Sequence, residues 1–359
     1  QYYDGLGRPF QSVERATKEN LHFDNVLVTL QEYDASGRKS NTWLPIAITG
    51  SYLAPANFKS QATDEYGDTR PYSQRVYESS PLDRLTESYR PGNAWSKKPA
   101  KVEYAVNTTA SPYNCIRYSV SSADAPVNNG NYAKGTLRVT KATDEDGKVL
   151  YTFTDKQGQT LLERRTNGSE TLDTYYVYDD YGCLRFVLQP EYQTTANLDL
   201  FAFQYKYDDH NNCIWKKLPG VQYVTYEYDS ADRMIFSQDG VQRSSSTWSV
   251  TKYDGKQRIA VEGVATIPGA TRTSLQSLWG DSLMISNPMT SPPINEMSLM
   301  YSTDCGPTGF TARKAYFYDD YSHWGNISFP CDAGFPVNTS LSAQGMLTGT
   351  AVYDNNGFC

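Results

Sequence analysis

The sequence predicts an all-β protein built as an antiparallel array of β-hairpins, with one short helix in an insertion. Three observations carry that reading. Rings alternate with other residues in period two, as Phe201, Phe203, Tyr205 and Tyr207 do against Ala202, Gln204 and Lys206, which places every ring on one face of an extended strand. The dipeptide Tyr-Asp recurs at positions 3, 33, 178, 207, 228, 253, 318 and 353, where this Tyr and Asp content would give about two by chance. The composition is aromatic yet modestly hydrophobic, with 29 Tyr, 13% aromatic and 39% hydrophobic residues, which suits sheets with one face packed and the other wet.

The stretch from Phe201 to Phe236 shows the unit most clearly. A strand runs into the turn formers Asp208, Asp209, His210, Asn211 and Asn212, a second run from Ile214 to Leu218 leads back, and Pro219-Gly220 turns the chain again. Val224, Tyr226 and Tyr228 repeat the alternation before Asp229 to Asp232 turn it once more. Across the eight pairs the acidic residues Asp4, Asp34, Asp179, Asp208, Asp229, Asp254, Asp319 and Asp354 follow Tyr3, Tyr33, Tyr178, Tyr207, Tyr228, Tyr253, Tyr318 and Tyr353. Four residues after the Tyr stands Gly7, Gly37, Gly182, Asn211, Asp232 or Gly357, types that tolerate the left-handed backbone of a tight hairpin. The position after that is Arg8, Arg38, Arg233 or Arg258 in four of the eight repeats. Thr143 to Lys148 and Thr154 to Gln159 fit the frame without the Tyr. The rings are expected to pack into ladders, with hydroxyls reaching water or turn carboxylates.

At these residues the chain resembles the YD repeats of RHS (rearrangement hot spot) proteins: YYDGLGR at 2 to 8, YDASGR at 33 to 38, YDSADR at 228 to 233 and YDGKQR at 253 to 258. The longer strings VYESSPLDRLTESYRPGNAW (76 to 95, read from Val76 to Trp95) and YFYDDYSHWG (316 to 325) are similar to the form found in very large surface or secreted proteins of Bacteroidota. The resemblance covers most of the chain. It implies a continuous β-sheet spiralling into a hollow shell, in many members around a C-terminal toxin, and hence an extracellular or cell-surface location. It also implies partners within the same long polypeptide. Members that cleave their own toxin do so near a DPxGL string, and no such string occurs here. Because YYDGLGR starts and YDNNGFC stops inside a repeat, the expectation is an internal fragment of a longer chain.

Taken in order, residues 1–260 are expected to form the repeat array, with irregular excursions at about 41–74 and 93–131. The first includes Pro45, Pro55 and Pro71 and reads as a long loop, mobile through Thr63 to Asp68, and in the second Asn128 to Asn131 reads as a flexible turn. Ser12 to Leu21 is a short helical or extended piece. Residues 261–314 form an insertion, in which Thr271 to Trp279 reads as a capped amphipathic helix and Met284, Met289, Met297 and Met300 cluster. Residues 315–359 hold further repeats.

The chemistry points away from catalysis. The pairs Asp179-Asp180, Asp208-Asp209 and Asp319-Asp320 sit at turns, where Asp is favoured for backbone hydrogen bonding and successive side chains of an extended chain point opposite ways. His22, His210 and His323 flank no nucleophile motif, and Asp144-Glu145-Asp146-Gly147 lacks the bidentate Glu of a calcium loop. No catalytic, cofactor-binding or metal-ligating residue is therefore assigned. The six cysteines, at 115, 183, 213, 305, 331 and 359, contain no CxxC, and Cys183 and Cys213 read as small buried side chains rather than a disulfide. The sequons at Asn107, Asn167, Asn326 and Asn338 read as loops. A net charge of −7 argues against nucleic acid or anionic membrane as partner, and no apolar run is long enough to span a bilayer.

The function expected is a non-catalytic wall segment. Two other classes stand beside it. One is an adhesion or glycan-binding module using Trp43, Trp95, Trp215, Trp248, Trp279 and Trp324. The other is an accessory subunit of an outer-membrane complex contacting its partner through 261–314.

Overall fold

The computed structural model describes residues 1–15, 25–168, 170–285, 306–319, 343–354 and 357–358. They are mostly antiparallel β-strand and fall into two compact units, residues 1–177 and 178–359. Met289, Met297, Met300, His22, His323, Trp324, Asp320, Asn326, Asn338 and the last three cysteines lie outside the described residues.

In the first unit, strands β1 (Tyr2–Tyr3), β2 (Pro9–Arg15), β3 (Asn25–Tyr33), β4 (Lys39–Trp43) and β5 (Ile46–Thr49) precede helix α1 (Pro55–Tyr66). Strands β6 (Tyr72–Tyr77), β7 (Leu85–Tyr89), β8 (Ala100–Val106), β9 (Ile116–Val120) and β10 (Pro126–Asn131) follow, then β11 (Arg138–Thr143), β12 (Val149–Thr154), β13 (Thr160–Asn167) and β14 (Glu170–Tyr178). Strand β3 serves two ladders: Asn25 to Val28 pair with β5, and Gln31 and Tyr33 pair with β4. From β4 the ladder runs through β6, β7 and β8, then jumps to β11 and continues to β14. The jump is possible because β9 and β10 form a separate hairpin.

Two regions differ from the sequence reading. Residues 41–74 hold β4, β5, the start of β6 and the twelve-residue α1, where a loop was expected. The helix starts with Pro55 at its first turn and stops at Gly67 in left-handed conformation, both favoured end signals. Its apolar stripe is only Phe58 and Ala62, one turn apart, so a window average misses it. Both are buried beside Val28, Leu30, Trp43 and Ile46, with the Phe58 ring edge-on to Trp43 at 6.2 Å. Asn128 to Asn131 belong to β10 rather than to a flexible turn. Residues 9–15 are strand, resolving the helical-or-extended alternative where it is described.

The second unit is a simple meander. Strands β15 (Leu184–Leu188), β16 (Ala202–Tyr207), β17 (Cys213–Lys217), β18 (Val224–Tyr228), β19 (Met234–Gln238), β20 (Thr247–Tyr253), β21 (Ile259–Thr266), β22 (Phe310–Asp319), β23 (Ala343–Asp354) and β24 (Gly357–Phe358) pair each with the next. Single helical turns α2 (Tyr192–Thr195), α3 (Leu198–Phe201) and α4 (Gly240–Ser244) sit in its connections, so the insertion does not hold the only helix. Within the insertion, α5 (Arg272–Leu275) runs into a π-helical turn, Gln276–Gly280, and Thr271 caps it in a reciprocal box with Ser274. Leu275 and Met284 are buried with Ile235, Phe236, Trp248, Val250 and Ala265, which anchors the insertion on the sheet.

Truncating the anchor of α1, Phe58→Ala, is expected to cost about 3–5 kcal/mol by opening a cavity under the helix. The check is the urea midpoint followed by circular dichroism; an unchanged midpoint would show that the helix is held by something other than this ring.

Candidate functional site

The repeated feature is the hairpin corner, and one aspartate builds it. At Asp4 the carboxylate Oδ1 accepts the amides of Leu6 and Arg8, each at 2.9 Å, while Oδ2 accepts the Arg8 Nε–H at 2.8 Å. The Gly7 amide donates to the Asp4 carbonyl at 3.0 Å and the Asp4 amide to the Arg8 carbonyl at 2.9 Å, a turn followed by one left-handed residue. The same amide pattern recurs at Asp34, Asp144, Asp179, Asp208, Asp229 and Asp254. The carboxylate-to-Nε bond recurs wherever Arg follows: 2.7 Å at Asp34, 2.9 Å at Asp229 and 2.7 Å at Asp254. In each the left-handed position is filled by Gly7, Gly37, Gly147, Gly182, Asn211, Asp232 or Gln257. Such a loop forces a bulge, seen as a register shift beside Tyr207, Tyr228 and Tyr253.

The corner also reaches the next repeat. The Arg8 guanidinium lies over the Tyr33 ring at 4.3 Å, Arg38 over Tyr77 at 4.8 Å, Arg84 over Tyr104 at 4.3 Å, Arg233 over Tyr253 at 4.4 Å and Arg258 over Tyr318 at 4.0 Å. Each of those hydroxyls donates to the carbonyl of the residue just after the arginine: Tyr33 to Pro9, Tyr77 to Lys39, Tyr104 to Leu85, Tyr253 to Met234 and Tyr318 to Ile259. Tyr207 and Tyr228 do the same, to Leu184 and Cys213 at 2.9 Å each, although Cys183 and Asn212 replace the arginine. Turn carboxylates were expected among the acceptors, and in these seven cases the acceptor is a strand carbonyl instead. The carboxylate oxygens are already occupied by amides and guanidinium groups.

One corner was not legible as Tyr-Asp. Glu78 takes the aspartate's place in the corner between Tyr77 and Arg84: its carboxylate accepts Arg84 Nε at 2.7 Å and Nη2 at 2.8 Å, and Asp83 is the left-handed residue. The arginine holds the Glu78 carboxyl down at about 2. Its signal was the string YESSPLDR, one side-chain carbon and two residues longer than the others. Asp319 departs differently. It accepts Arg258 of the preceding corner, at 3.1 and 2.8 Å, and the Gly345 amide, at 2.7 Å, and these hold its carboxyl well below the usual range. Tyr178 ends β14 and Tyr353-Asp354 end β23.

Beside the Asp208 and Asp229 corners lies an acidic cavity of about 440 Å³. His210 Nδ1 is 2.8 Å from Asp232 there, and Asn212 Nδ2 donates to the same carboxylate at 2.8 Å. Glu227, 1% exposed, has Oε2 3.1 Å from Arg272 Nε, but the pair is off the axis of a hydrogen bond, and burial pushes its carboxyl up to about 6. Among the described residues no three His, Cys, Asp or Glu side chains are grouped to hold a metal ion. Cys115, Cys183 and Cys213 are free thiols, and Cys115 is buried. Asn107 is not in an open loop: it is fully buried, donating to the Ala133 carbonyl at 2.9 Å and accepting the Leu137 amide at 2.8 Å. Trp43 and Trp248 are core residues rather than surface rings.

Two consequences are measurable. Asp229→Ala removes a carboxylate with no exposed side-chain surface and strands Arg233, so it should cost about 3–5 kcal/mol; Asp4→Ala, at a more open corner, should change the melting temperature far less. Equal shifts would deny that burial separates the corners. For Glu227 the folded carboxyl titrates above its unfolded value near 4.5, so the native state keeps the extra proton. Its contribution is full below pH 4.5 and is lost as pH rises to about 6. Glu227→Gln should remove that component of the melting temperature's pH dependence, and a parallel profile would refute it.

No curated protein matches the chain. Among solved structures it is similar to a TcdB2-TccC3-Cdc42 assembly, with 13% identity, 99% of this chain and 18% of that chain covered and a TM-score of 0.49. TcdB2-TccC3 without its hypervariable C-terminal region gives 14%, 98%, 16% and 0.49. A pore form of the Photorhabdus luminescens Tc holotoxin with a mutated TccC3 gives 10%, 99%, 18% and 0.48. The chain spans less than a fifth of each of these chains. Residues 1–108, the stretch that holds the corners from Asp4 to Glu78, match the family model described as Domain of unknown function (DUF6443).

Proposed function

We propose that the chain is a non-catalytic wall segment of an RHS/YD-repeat protein, secreted or displayed at a bacterial surface, that helps enclose a C-terminal toxin or other cargo. One observation carries the reading: within each unit, corner after corner is tied to the next by the tyrosine hydroxyl, and in five cases by the arginine over its ring. Acidic groups with such partners are occupied in holding backbone. A general acid or base needs a proton within reach of substrate, which a carboxylate saturated by amides and guanidinium does not offer. A wall made this way protects its own strand edges, because each hairpin covers the last. The natural partners are then neighbouring repeats and the enclosed segment of the same polypeptide.

The test is protease protection in the parent polypeptide. The enclosed segment is expected to resist digestion while the wall is intact and to become cleavable when Asp229→Ala and Asp254→Ala open it. Cleavage at the same rate with and without those substitutions would overturn enclosure.

A further inference from the structure

A second cavity in the 178–359 unit, of about 590 Å³, is lined by none of the residues that build the corners. That volume lies within the range of about 300–1,000 Å³ typical of small-molecule sites. Trp248, 1% exposed, lines it, and its indole Nε1–H is buried with no hydrogen-bond partner among the described residues. The Thr225 hydroxyl is likewise buried and has no partner among the described residues. Buried donors of this kind are rare in native proteins unless something supplies the missing acceptor. Trp215 and Tyr223 form one wall, their rings stacked at 5.5 Å and 28°. Arg243 lies over Tyr223 at 3.7 Å and spends donors on the carbonyls of Gln238 and Tyr223, but it meets no carboxylate among the described residues. A guanidinium has five donors, so N–H groups remain for a planar anion. The lining contains no Asp or Glu at all, in a chain whose net charge is −7.

We propose that this cavity binds a carboxylate-bearing sugar. The carboxylate would meet Arg243, ring hydroxyls would accept from Trp248 Nε1–H and exchange a bond with Thr225, and the apolar side of the sugar would lie along the edges of Trp215 and Tyr223. Neutral donors beside two guanidinium groups, Arg243 with no carboxylate among the described residues and Arg272 3.1 Å from Glu227, match a hydroxylated acid better than bare phosphate, which would leave the aromatic wall uncovered. The site does not depend on the repeat corners, so its failure would leave the wall reading intact.

The probe is digalacturonate, with cellobiose as the neutral control, titrated into the full chain while tryptophan fluorescence and the indole N–H resonances of ¹⁵N-labelled protein are followed. Saturable binding with a shift of one indole resonance is expected, and Trp248→Phe should delete that resonance. Arg243→Gln should weaken digalacturonate by about tenfold or more, as loss of a charged hydrogen-bond pair does. Thr225→Val should weaken it in a chain whose circular dichroism is unchanged, which serves as the comparison if Trp248→Phe does not fold. Absence of saturation up to about 10 mM, a concentration corresponding to negligible affinity, overturns the proposal. So does cellobiose binding as tightly as digalacturonate with Arg243→Gln without effect.

Discussion

The structure depends on what a single carboxylate does at the end of a hairpin. A tight antiparallel loop leaves amides pointing inward with no strand to receive them, and burying them unpaired is costly. Asp at the strand end takes two of them on one oxygen. Its other oxygen is then the natural acceptor for the arginine that closes the loop, as at Asp4, Asp34, Asp229 and Asp254. With Nε anchored, the guanidinium plane is fixed, and it lies over the tyrosine of the following repeat. That ring is in turn oriented by its hydroxyl, which returns to the strand the arginine began. Local turn chemistry and the contact between repeats are therefore one network, which is why the motif can be short and still specify an array.

The same geometry carries different weight at different places. At the Asp4 corner both side chains keep a quarter or more of their surface, and an ion pair in that setting contributes little. At Asp229 the carboxylate has none exposed and Arg233 only 10%. There the pair cannot be broken cheaply, because either partner alone would be a buried charge. The second corner is covered by the insertion: the Ser230 amide donates to the Ser282 carbonyl at 3.2 Å, and Tyr253 meets Met284 through its amide at 3.1 Å. The excursion beyond 260 thus acts on the array by changing the dielectric around a repeat that is otherwise like the rest.

Much of this was legible in the residues. The period-two rings, the Tyr-Asp pairs and the left-handed glycines read directly as strand, corner and turn, because each follows from local backbone chemistry. What escaped was either non-local or off-pattern. The target of the tyrosine hydroxyl lies 15 to 59 residues away in sequence, and no spacing reveals it. Gln257 takes a left-handed conformation (φ 66°) that its residue type does not announce, imposed by the Asp254 and Arg258 bonds on either side. Helix α1 was hidden by a stripe of two residues, and Asn107 by being polar, a type usually found outside, while here its buried side chain bonds three backbone groups, those of Tyr132, Ala133 and Leu137. Glu78 escaped because a longer side chain spans a longer loop to the same end.

The corners that lack arginine show which part of the network is indispensable. At Asp179 the fifth position is Cys183, and Arg185 stands 3.6 Å from the carboxylate instead, reaching in from the next residue on the same face. At Asp208 it is Asn212, whose amide nitrogen spans to both Asp208 and Asp232. In both cases the following tyrosine keeps its hydroxyl bond to the strand although Cys183 or Asn212 stands where the other corners have arginine, so the hydroxyl bond is the more constant tie and the arginine at that position an addition to it. Replacing arginine by asparagine also withdraws a long side chain from the space between two corners. The acidic cavity opens on that space, bordered by Asp208, Asn212, Tyr228 and Asp232, and Arg272 from the insertion supplies a positive charge from the other side. A separate segment thus brings a cation to the space beside the repeat that lacks arginine, with Arg272 Nε 3.1 Å from Glu227 of the array.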